Sequence, residues 1–145
     1  MAGPGRKDNV VTTGMVLSPL LEAGFPVITH TLSAIGALLI GSAQMLLEKG
    51  TRAHKVMGYL WCTLLFWTAI SSFWIHEIRM FGPWSLIHLL SIWALLNIVY
   101  ALHAARTGRI TAHKKAMRGL YFYALILAGV FTLMPGRILN QILFG

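Results

Sequence analysis

The sequence predicts an all-α membrane protein: four transmembrane helices in a bundle with an internal two-fold, parallel repeat of helix pairs. Three observations predict it. First, 57% of the 145 residues are hydrophobic and 11% are charged, where a soluble domain carries about 25% charged residues. The mean hydropathy is +0.69, which marks a bilayer as the solvent. Second, four long segments are almost free of charge. Third, "LEKGTRAHKVMGYLW" (Leu47 to Trp61) is echoed by "ARTGRITAHKKAMRGLYF" (Ala105 to Phe122). Both pass from a basic, glycine-containing loop through Ala-His-Lys into an apolar, aromatic run.

The elements follow in order. Residues 1–24 form a tail or interfacial segment: Val11 to Gly24 is mixed and contains Pro19 and Glu22, and Arg6 and Lys7 precede no short apolar run of the cleavable-signal kind. Residues 25–145 form the transmembrane domain, with repeat 1 over about 26–80 and repeat 2 over about 83–137. The spans are Pro26 to Leu47, Val56 to Ile75, Trp84 to Ala105 and Gly119 to Pro135, the last with a start as early as Lys114. Each approaches the roughly 20 residues that cross a hydrocarbon core. The single Cys62 forms no internal disulfide and reads as a small buried hydrophobe.

Basic residues set the orientation. Lys49, Arg52, Lys55, Arg106, Arg109, Lys114, Lys115 and Arg118 follow spans one and three, whereas Arg6, Lys7, Arg79 and Arg137 lie on the other side. The richer side is expected in the cytoplasm, which places both termini in the periplasm of a bacterial inner (plasma) membrane. The net charge of +8 is then read by anionic lipids at the cytoplasmic loops, not by nucleic acid.

A slide of 58 residues carries His30 onto His88, together with Leu32, Ser33, Leu38, Ile40, Ala43 and Gly50 onto identical residues. One further residue aligns Ala53-His54-Lys55 with Ala112-His113-Lys114. The period is a pair of spans, so both copies insert the same way up, related by an axis along the membrane normal. Each helix thus carries one histidine of a symmetric set. Ionisable groups inside spans are costly and point to function.

Two facing imidazoles suit the axial positions of a b-type haem, and bundle interiors hold cofactors between facing helices. The pair His30 and His88 is the expected haem-iron site. Arg137 and Arg79 are the expected propionate partners, and His54 and His113 form a second site. One haem is expected rather than two. Ser33, Ala34, Gly36, Ala37, Gly41 and Ser42 supply a small-residue strip on helix one, with Ser91 and Ala94 on helix three. The competing reading is structural. Small residues also allow close helix packing, outer tryptophans such as Trp74, Trp84 and Trp93 also form interfacial belts, and a membrane histidine also hydrogen-bonds a serine or carbonyl on the next helix. His76-Glu77 reads as a solvated helix end. His103 has Met45 as its counterpart in the first repeat. No hydrolytic or transferase constellation is visible, and Ser71-Ser72 has no assigned base.

The stretches "FPVITHTLSAIGALLIGSAQMLLEKGTRAHKVMGYLW", "SFWIHEIRMFGPWSLIHLLSIWALL" and "RTGRITAHKKAMRGLYFYALILAGVFTLMPGR" resemble the bacterial predicted membrane protein family known as domain of unknown function 2306. The resemblance covers nearly everything from Phe25 to Arg137 and implies a four-helix inner-membrane protein without a settled activity. The layout of one histidine per helix is similar to that of the ascorbate-type transmembrane cytochromes b, an analogy of architecture only. The expected function is therefore a haem b electron-transfer subunit with two histidine ligands, working with a quinol or a redox protein. The alternative is a cofactor-free structural or assembly subunit, or a small transporter, of a membrane complex. A homodimer or larger membrane complex is the expected assembly.

Overall fold

The computed structural model describes residues 21–75 and 86–144. Most of the N-terminal tail, His76, Glu77, Arg79 and Trp84 lie outside the described residues. Among those described there are helices and no strand. Helix α1 spans Phe25–Leu46, α2 Arg52–Ser71, α3 Leu86–Arg106 and α4 Ile110–Gly119. A π-helical run, Leu120–Leu127, continues α4 into α5, Ala128–Thr132, and α6 covers Ile138–Phe144.

Local chemistry sets these boundaries. Proline in the first turn starts α1, where its missing amide costs nothing and its φ is already helical. Helix α2 begins four residues before the apolar run because Thr51 caps it: its hydroxyl oxygen accepts the amide of His54 at 3.1 Å. Gly50 and Gly108 turn the two basic loops with φ of 85° and 75°, a left-handed backbone that favours glycine. These are positions that the 58-residue slide superimposes.

Three stretches are long and apolar enough to cross a membrane: Phe25–Leu46, Arg52–Trp74 (α2 with its closing 3-10 turn, Ser72–Trp74) and Leu86–Arg106. The fourth expected span is built differently. Helical structure starts at Ile110, well before Gly119, so its first turns are basic; it then passes through π-helical turns and stops at Thr132 instead of Pro135. Gly136, with φ 87°, turns the chain into α6, which hydropathy did not announce.

Helix α1 lies along α2 and α3 along α4; α2 also meets α3, and the π-helical run touches both α1 and α3. The core between them is formed by Ala37, Trp61, Cys62, Leu65, Ala94 and Leu120, with Ala69, Ile98 and Leu125. Cys62 is free and buried, as expected. Around this core the helices present large apolar side chains outward. Leu32, Leu39, Leu96 and Val99 are each more than 60% exposed, a surface that water would penalise and lipid tails accept.

Candidate functional site

The two histidine pairs stand in different surroundings. His30 is half-buried on α1, and its Nδ1 lies 3.1 Å from Ser71 Oγ. The Ser71 hydroxyl donates to the Thr68 carbonyl at 3.1 Å, so its oxygen accepts from His30 Nδ1–H. Ser33 on α1 meets the Thr68 hydroxyl at 2.9 Å. Ser72 meets Ser91 of α3 at 2.6 Å. Next to them Phe73 packs on His88, ring centroids 5.5 Å apart, and His88 is 3% exposed. Both imidazoles therefore face the interior, but the turn Ser71-Ser72-Phe73 joins α1 to α3 between them.

The small-residue strip on α1 is occupied in the same way. A Cβ on Gly36 would stand 3.3 Å from Leu64. The Ala37 carbonyl accepts the indole N–H of Trp61 at 2.8 Å. A Cβ on Gly41 would stand 2.6 Å from Trp61 Nε1 and 2.8 Å from Tyr121. The strip lets α2 and the π-helical run approach α1, the close-packing role of small residues in membranes. The outer pair is joined to the packing of α1, α2 and α3 through Ser71 and Phe73. Of its expected propionate partners, Arg79 lies outside the described residues. Arg137 sits half-buried in the turn before α6, its amide bonded to the Met134 carbonyl at 3.3 Å.

The second pair is brought together. His54 and His113 line one cavity of about 780 Å³ at the end of the molecule where both basic loops gather. Gln44 holds His54 from two sides: its Oε1 accepts from His54 Nδ1 at 2.8 Å, and its Nε2 donates to the His54 carbonyl at 2.8 Å. His113 Nδ1 lies 3.0 Å from the Ala101 carbonyl. A carbonyl only accepts, so Nδ1 carries the proton. In the neutral ring this leaves the lone pair on Nε2, the arrangement that orients and strengthens a metal-ligating imidazole. Trp61, Met117, Leu102 and Tyr121 supply walls, and Tyr121 is fixed by a 2.7 Å hydrogen bond to Ser42. Lys49, Lys55, Arg106, Lys114 and Arg118 add positive charge around the same cavity.

Spacing did not reveal Gln44, Trp61 and Tyr121. The only signal for Gln44 is a polar amide at the end of an apolar span, ten residues before His54. Met45 lines the cavity while His103 is exposed in the last turn of α3, so that pair shares no site. No group of three or more His, Cys, Asp or Glu able to hold a metal occurs among the described residues.

No curated protein and no solved structure matches this sequence. The family model for Predicted membrane protein (DUF2306) matches residues 27–144, which take in both histidine pairs, the basic loops and all but the first two residues of the spans. The chain belongs to that family of predicted membrane proteins.

Proposed function

We propose that this membrane protein is an electron-transfer subunit that holds haem b between His54 and His113, at its basic end. The observation that carries the reading is the convergence of two imidazoles, from the starts of α2 and α4, on one cavity with each Nδ1 already engaged. The chemistry of the donor set fits: two imidazoles whose Nδ1–H groups are held by Gln44 Oε1 and the Ala101 carbonyl would bind the haem iron through Nε2. The cavity falls within the roughly 300–1,000 Å³ typical of ligand sites. Of the cations around it, Arg106 and Arg118 suit carboxylates through bidentate pairing. The haem would supply one-electron exchange. The chain's own residues orient the ligands, exclude lipid and set the local charge.

In this reading the fourth helical run also crosses the bilayer, completing a bundle of two like hairpins. The excess of Lys and Arg supports a cytoplasmic basic end in an inner membrane, with both termini outside. The electron partner is a quinol or a redox protein.

The test is optical. Haem-supplemented expression is expected to give a coloured preparation with a dithionite-reduced α-band. That band disappears in His54→Ala and in His113→Ala and survives in His30→Ala. A colourless wild-type preparation, or a band indifferent to His54 and His113, overturns the assignment and returns the chain to the cofactor-free class.

A further inference from the structure

A second concavity, of about 810 Å³, opens on the flank of α3 and α4. We propose that it seats one anionic phospholipid. Its polar end is cationic: Arg109, Lys115 and Thr111 line it, with no acidic side chain among the lining residues. The Arg109 guanidinium lies 5.7 Å from the centroid of the Tyr100 ring. This contact holds the charge at the rim, where a phosphodiester accepts from its planar fork. Its deeper wall is Trp93 with Asn97. Trp93 is held edge-on to Tyr123, centroids 6.2 Å apart. Gly119 lines the floor, where a Cβ would come within 3.8 Å of the Trp93 ring. Leu89 and Leu96, both exposed on the helical face that carries Trp93, extend the apolar track along α3.

Charge complementarity selects the occupant. Cations at the basic end attract anionic lipid, and the wall that runs from Tyr100 to Trp93 along α3 accepts an acyl chain. The groove belongs to one hairpin only. At the positions 58 residues before Trp93, Asn97 and Arg109 the chain has Ile35, Leu39 and Thr51, and 59 before Lys115 it has Val56. An ordinary cationic rim would not need Trp93, Asn97, Arg109 and Lys115 to be confined to α3 and α4. The seat shares only Ile110 with the histidine cavity and stands whether or not that cavity carries haem.

Native mass spectrometry from micelles containing equal amounts of phosphatidylglycerol and phosphatidylcholine tests the seat. The wild-type chain is expected to retain one phosphatidylglycerol. Arg109→Gln and Lys115→Gln each reduce retention about fivefold, and together about thirtyfold, the size expected for cations near a membrane surface. Arg52→Gln, an exposed cation that lines neither cavity, leaves it unchanged. All three substitutions are at exposed positions, and thermal unfolding of the same samples verifies folding. Retention that persists in the double variant, or that falls as far in Arg52→Gln, overturns the proposal. Equal retention of both lipids does so as well.

Discussion

At one end of the molecule His30, Ser33, Thr68, Ser71, Ser72 and Ser91 bond chiefly to one another and to carbonyls of their own helices. At the other end His54 and His113 bond to an amide and a carbonyl, and both residues line one cavity. Both ends were written with the same residue at equivalent places in a repeated pattern. The difference lies in what α2 brings to each level. Near its end α2 supplies hydroxyls, short enough to let α1 and α3 close around them. Near its start it supplies Gly58 and Tyr59, and the space beside them stays open. A histidine next to small hydroxyl groups becomes part of a helix-joining network. A histidine next to glycine and an aromatic wall becomes available to a ligand.

Trp61 sits where the two regimes meet, so removing it gives the largest expected effect. It is 4% exposed, packs in the core, bonds the Ala37 carbonyl and walls the cavity. Trp61→Ala is expected to cost about 3–5 kcal/mol, read as lost unfolding free energy in detergent. A loss below about 1 kcal/mol would show that α1 and α2 do not depend on this contact. Gly41→Ala comes next. The added methyl would overlap the Trp61 and Tyr121 rings, and overpacking of this kind costs about 1–3 kcal/mol. Gly129→Ala is the control, since its Cβ meets nothing within 4 Å. Equal losses at the two glycines would remove the close approach of α1 to the π-helical run from the account.

The third substitution sharpens the cavity end alone. Gln44→Leu removes both hydrogen bonds to His54 while keeping the size of the side chain. Losing the hydrogen-bond partner that orients a ligating imidazole reduces metal-group affinity about 10–100-fold. The expected result is weaker haem retention at nearly unchanged thermal stability. Equal haem affinity in Gln44→Leu and wild type would mean that the clamp does not orient a ligand.

The helices were legible because apolar runs of span length leave few alternatives, and Pro26 and Gly50 punctuate them clearly. Their ends were less so, since the Thr51 cap lies upstream of the apolar run it serves. The π-helical turns at Leu120–Leu127 were not legible: a shift to i→i+5 pairing is an adjustment to neighbours, here Tyr121 reaching Ser42. The histidines were visible and their pairing was not. Serine and glycine on α1 have the same spacing whether they admit a porphyrin or a neighbouring helix. Only the placement of Leu64, Trp61 and Thr68 decides between those uses.

The smallest effect tests the closed end. Ser72 is 2% exposed, and its hydroxyl lies 2.7 Å from the Ala69 carbonyl and 2.6 Å from Ser91 Oγ. Ser91 Oγ also reaches the Ile87 carbonyl at 2.9 Å. Each hydroxyl has one proton, so one of the pair donates across the helices while the other donates to its own backbone. Alanine at either position removes the bridge and leaves the other hydroxyl a carbonyl to bond. Inter-helix hydrogen bonds in a bilayer average about 0.6 kcal/mol, because the separated helices also find partners. A double-mutant cycle on Ser72→Ala and Ser91→Ala is therefore expected to give a coupling near 0.6 kcal/mol. Additive losses would show that α2 and α3 are joined at this level by packing alone, and the contrast between the two ends would then rest on the cavity and not on the hydroxyl network.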